Sequence, residues 1–177
     1  MKRYITLLFI LITIIVATAC SSGKPTNAER TLSKVLSIDL TDGIMVENED
    51  THGGFHGDGH TFISMTFENP DDIITQIQNN SLWKELPLTS TLASITYGTV
   101  SYPTEDSVEV SGPYAKDKDG NLFFPEIENG YYYFEDRHPQ TKYAYNSTLV
   151  LERTSLNFTI AIFDTDYGKL YYYDLDT

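Results

Sequence analysis

An α+β fold follows from this sequence: a mostly antiparallel β-sheet with one helix, at about residues 70–80, packed on a face to make two layers. Three observations predict it. Leu156, Phe158, Ile160 and Ile162 alternate with Asn157 and Thr159, the period of a strand with one buried side. Asn69-Pro70-Asp71-Asp72 is the one strong helix start. Turn signals at Asp42-Gly43, Asp117–Asn121 and Asp164–Gly168 cut the remainder into short strand-like runs.

The first run is Leu36, Ile38 and Leu40, which alternate with Ser37 and Asp39 and read as a strand. Asp42-Gly43 then precedes Ile44-Met45-Val46, a hairpin signal because glycine accepts positive φ. A glycine-rich segment, Thr51 to His60, leads to a third strand with Ile63, Met65 and Phe67 on one side. In the helix, Asn69 caps, Pro70 suits the first turn and two aspartates meet the positive end of the dipole. Ile73, Ile74 and Ile77 form its apolar stripe, which Trp83 and Leu86 continue as far as Pro87. Short strand pieces are expected at Ser94–Tyr97 and Val108–Val110. Tyr131-Tyr132-Tyr133-Phe134 is apolar on both sides and suits a central strand. The closing hairpin runs from Leu156 through the turn at Asp164–Gly168 to Lys169–Leu175.

The first twenty residues, MKRYITLLFILITIIVATAC, have a basic head (Lys2, Arg3), an uncharged apolar stretch from Tyr4 to Ala19 and a small-residue exit. These are the three parts of a secretion signal. Val16-Ala17-Thr18-Ala19-Cys20 resembles the lipobox of bacterial lipoproteins. That resemblance implies cleavage between Ala19 and Cys20, a diacylglyceryl thioether on Cys20 and palmitate-type acyl chains holding the protein on the extracytoplasmic face of the cell membrane. The expected organisation is a signal peptide over residues 1–19, a lipidated cysteine and flexible tether over 20–30, and one globular domain over 31–177. A ten-residue tether of this composition has a root-mean-square reach of under about 20 Å, so the domain would ride close to the membrane.

Removing residues 1–19 takes away two of the twelve basic side chains and none of the twenty-five acidic ones, leaving a net charge of −15. That charge argues against nucleic acid and against electrostatic adhesion to anionic lipid. Cys20 is the single cysteine, so the domain is held by its core and not by disulfides.

One segment concentrates chemistry-bearing residues: Thr51-His52-Gly53-Gly54-Phe55-His56-Gly57-Asp58-Gly59-His60. Its glycines oppose a helix. In an extended chain the even positions share a side, which would bring His52, His56, Asp58 and His60 together, with Phe55 opposite. Three imidazoles and a carboxylate suit zinc or another transition metal. The same glycines equally suit a loop that approaches a ligand without metal, with Phe55 and Trp83 as aromatic contacts, or a plain crossing loop. Asp117–Asn121 lacks the ligand spacing of a calcium loop and reads as a turn. Glu135-Asp136-Arg137-His138 reads as a charged strand end, since neighbours on a strand point apart. No phosphate loop, nucleophile elbow or metalloprotease motif is present. The expectation is a non-catalytic binding domain at the cell envelope, membrane-bound through Cys20, whose partner is an envelope protein or cell-wall polymer. The alternative is a metal-dependent hydrolase or metal-binding protein using the histidine loop.

Overall fold

The computed structural model describes residues 26–53, 57–104 and 107–177. The signal pattern and Cys20 lie outside these residues, as do Phe55 and His56 of the histidine loop. No helix among the described residues is long and apolar enough to cross a membrane.

The chain opens on a helix, α1 (Asn27–Leu36), where the tail of a tether and the start of a strand were expected. Thr26 is the reason. Its hydroxyl accepts from the Glu29 N–H while the Glu29 carboxylate accepts from the Thr26 N–H, a reciprocal capping box. Leu32 and Leu36, four apart, bury one face of the helix. Ser37 then ends it in the left-handed region at φ 54°. Ile38 and Leu40 are buried, as the alternation suggested, but in a turn and not in a strand.

β1 (Ile44–Asp50) and β2 (Gly59–Thr66) form an antiparallel hairpin around the glycine-rich segment. α2 (Pro70–Gln78) is the expected helix, with Ile73 and Ile77 buried. Asn69 makes no side-chain cap bond there, so the start rests on Pro70 and the two aspartates. Trp83 does not prolong the helical stripe; it opens a short strand, β3 (Trp83–Glu85). α3 (Ser90–Tyr97) replaces the strand piece expected at Ser94–Tyr97. The Thr89 hydroxyl caps it by accepting from Leu92 N–H, and Leu92 and Ile95 anchor it. β4 (Thr99–Thr104) and β5 (Ser107–Ser111) form a separate two-stranded ribbon. β6 (Gly130–Asp136), β7 (Phe158–Asp164) and β8 (Lys169–Asp176) complete the main sheet, whose order is β1-β2-β8-β7-β6-β3 with every pair antiparallel.

Alternation along the central strands feeds two cores. Ile63, Met65, Tyr133, Ala161, Phe163 and Tyr172 pack with Leu32, Leu36, Ile73 and Ile77 under α1 and α2. Phe62, Phe134, Phe158, Ile160, Ile162 and Tyr173 pack with Leu92, Ile95 and Phe124 under α3 and the loops around it. The fold is thus α+β with a mainly antiparallel sheet. It has three helices among the described residues where one was expected, and apolar cover on both faces of the sheet. β7 demands that cover, because all seven of its residues are buried.

Candidate functional site

The β1–β2 hairpin delivers its two described histidines to opposite faces of the sheet. Thr51 N–H donates to the His60 carbonyl, so pairing continues past the end of β1. His52 follows and passes so close to β2 that a Cβ on Gly59 would lie 2.7 Å from His52 Cα. Glycine is needed there for close backbone approach.

On the α1/α2 face, His52 meets a carboxylate of its own hairpin and two from the C-terminal strand. Its Nδ1 lies 2.8 Å from Asp50 Oδ1, which also accepts the His52 backbone N–H at 2.9 Å. These bonds, the backbone one foremost, hold the Asp50 carboxyl below the ordinary carboxylate range. Its Nε2 faces Asp176 Oδ2 at 3.5 Å and Asp174 Oδ1 at 3.9 Å. Arg137 reaches the same pair, with Nη2 3.4 Å from Asp174 Oδ2 and Nη1 3.1 Å from Asp176 Oδ1. The Tyr172 hydroxyl donates to Asp174 Oδ2 at 3.1 Å, and burial with this neighbouring charge pushes the phenol pKa up. Thr61, Asp174, Thr159 and Glu135 form one cross-strand row.

On the α3 face, His60 stacks near Tyr173 at 5.5 Å and Phe123 at 5.2 Å. Both of its ring nitrogens have neighbours: Nε2 sits 3.2 Å from Glu49 Oε1, and Nδ1 sits 3.1 Å from the Thr51 hydroxyl. Beside it is an open cleft of about 440 Å³ between β1 and the loop at residues 117–123. Its floor is the stacked pair Phe62 and Phe123, centroids 4.4 Å apart. Its walls carry the carboxylates of Glu47, Glu49 and Asp117, with Asn48, Asn121 and Leu122. Asp117 is kept ionised by its Asn121 side-chain bond first, with backbone N–H groups adding to it.

His52 and His60 therefore do not converge as their even-numbered spacing suggested. His52 and His60 lie on different faces because a hairpin closing at Gly59 reverses the chain between them. Asp58 is exposed, and His56 and Phe55 are outside the described residues. Trp83 is no surface contact. It is buried in the core and its indole N–H donates to the Leu36 carbonyl at 3.1 Å. The residues that sequence reasoning missed are Arg137, Asp174 and Asp176. Alternating acids in Tyr173-Asp174-Leu175-Asp176 marked one strand face, but nothing local said that this face meets His52.

Searches of protein-family profiles, curated proteins and solved structures return no match to this chain.

Proposed function

We propose that this chain is a non-catalytic binding domain, carried on the extracytoplasmic face of a bacterial membrane by lipid on Cys20, that takes a basic, extended segment of an envelope protein beside β1. The acid-walled cleft over Phe62 and Phe123 carries this reading. Aromatic faces and ionised carboxylates together suit an ammonium or guanidinium group, through ring attraction and charge pairing. β1 is an edge of the six-stranded sheet, so its outer backbone groups offer a template for strand addition. Ile44 and Val46 are half-exposed along it and add apolar contact next to Glu47. The net charge of −13 for the whole chain steers a cationic partner toward it.

The anchor rests on the signal and lipobox resemblance at residues 1–20. Its test is mass spectrometry of membrane-extracted protein, where an N-terminal diacylglyceryl Cys20 is expected and an intact Met1 would refute it. The cleft is tested with short synthetic peptides alternating lysine with threonine, set against glutamate-threonine counterparts. Only the lysine set should bind, and raising salt toward 1 M, where the Debye length falls to about 3 Å, should weaken it. Glu47→Lys with Glu49→Lys should cost at least tenfold in affinity. Equal binding of both peptide sets, or binding indifferent to the double substitution, contradicts the reading. Preference for an amine-bearing wall polymer over any peptide would transfer the cleft to that partner.

A further inference from the structure

We propose that His52, Asp174 and Asp176 form a site for one divalent transition-metal ion, zinc being the best match to its donors, which ties the β1–β2 loop to the end of β8. The proposal is independent of the cleft, which lies on the other face of the sheet.

Three ligand atoms, one from each residue, lie within 4.8 Å of one another. A tetrahedral zinc ion with bonds of about 2.0–2.2 Å sets its ligands roughly 3.3–3.5 Å apart. The separations of 3.5 Å and 3.9 Å from His52 Nε2 are at or slightly beyond that span. Binding would draw Asp174 in by a few tenths of an ångström toward His52, and would bring the two carboxylates, now within 4.8 Å of each other, to the same spacing. All three side chains keep partial solvent access, so an ion can enter and water can complete its coordination.

The hydrogen-bond partners of these atoms point the same way. Asp50 accepts at His52 Nδ1, and a carboxylate only accepts, so a ring proton sits on Nδ1; in the neutral ring Nε2 then carries the lone pair, aimed at the carboxylates. The Tyr172 hydroxyl and Arg137 occupy Asp174 Oδ2. What remains is His52 Nε2 facing Asp174 Oδ1, two buried acceptors with no hydrogen-bond partner among the described residues. Buried polar atoms are nearly always satisfied, so His52 Nε2 and Asp174 Oδ1 call for a positive charge between them, which a metal ion on the neutral ring would supply.

The surroundings have the form of a metal site. A carboxylate on the far nitrogen of a ligating imidazole fixes its tautomer and raises its basicity, the part Asp50 takes here. Three carboxylates, Asp50, Asp174 and Asp176, surround the His52 ring, and one guanidinium, Arg137, pairs with the last two; with the ring neutral this leaves two negative charges that a divalent ion would balance. The donor set of one imidazole and two carboxylates favours zinc over calcium or magnesium, which take oxygen alone.

The test uses the full mature protein, purified without a histidine tag and stripped with a chelator. Calorimetric titration with zinc should show one equivalent bound. Melting temperature should rise by roughly 5–10 °C at a hundredfold excess over Kd. Asp174→Asn and His52→Ala should each weaken binding at least tenfold, while His60→Ala and His138→Ala leave it intact. Cobalt in place of zinc should give the intense visible absorption of a four-coordinate ion on the unmutated protein, a readout that needs no variant to fold. Absence of zinc binding and of a thermal shift would mean that a proton bridges His52 and the aspartates, and the proposal falls. Binding that survives His52→Ala with Asp174→Asn, or that fails in His60→Ala, would place any ion elsewhere and overturn it equally.

Discussion

His52 and His60 leave the same hairpin, each beside carboxylates, and end in opposite conditions. His60 has a neighbour at both ring nitrogens and rests on Phe123 and Tyr173 at the rim of an open cleft. His52 has one nitrogen bound to Asp50 and the other turned on carboxylate oxygens that offer no proton. A satisfied histidine among exposed acids and aromatic rings suits a large cationic group that keeps part of its hydration. An unsatisfied one inside a half-buried carboxylate set suits a small ion that gives up its water. The difference comes from surroundings, not residue type, and those surroundings come from which strand lies beneath each ring.

The comparison breaks most completely if the sheet itself is lost. Ile160 is fully buried in β7 on the α3 face, and Ile160→Asp should cost several kcal/mol by burying an unpaired charge. Thermal melting should show the variant unfolded, with both sites gone. A wild-type melting curve would mean that the strand register is wrong.

Alkaline pH attacks the side chains shared by the two faces. Tyr133 and Tyr172 on one face and Tyr173 on the other all have phenol pKa values raised, chiefly by burial. The folded protein therefore holds these protons more tightly than the unfolded chain. Their stabilisation is complete below about pH 10, the ordinary phenol value, and is lost as pH rises beyond it. Denaturant midpoints should be flat across neutral pH and fall above about 10, with tyrosinate absorbance rising first from exposed tyrosines such as Tyr143 and Tyr167 and in a second step, from the buried ones, at unfolding.

A smaller change sharpens the comparison. Gly59→Ala touches no proposed ligand, yet its methyl would press on the His52 backbone at 2.7 Å. The expected cost is about 1–3 kcal/mol in stability, with weaker zinc binding and little change at the cleft. Zinc affinity equal to wild type would show that His52 does not depend on this close approach. Smaller still is Tyr172→Phe, which removes the hydroxyl that donates to Asp174. About 1 kcal/mol should be lost in chemical denaturation, with peptide binding unchanged.

These contrasts also show where the sequence was readable. The β7–β8 hairpin was legible because its signals are local: Phe158, Ile160 and Ile162 share one core, and Asp164 to Gly168 turns the chain. α1 was not, because Leu36, Ile38 and Leu40 mimic a strand when a helix end is followed by a buried turn. Its real signal was the capping box of Thr26 and Glu29, set in a segment that looked like tether. α3 was missed because Thr91, Ile95, Thr96 and Tyr97 favour strands, and burial of Leu92 and Ile95 overrode that preference. At the site, the sequence pointed to His52 but could not supply Asp174. That pairing requires β8 to lie next to β2, a placement set by sheet order across more than half the chain.

The most direct test of the two-face account is a map of backbone amide shifts in one labelled sample, titrated first with zinc and then with the lysine-threonine peptide. Zinc should move His52, Asp174, Asp176 and Arg137, while the peptide should move Glu47 to Glu49, Phe62 and residues 117–123, with little overlap. A single set of residues answering to both ligands, or a peptide that leaves β1 still, would contradict it.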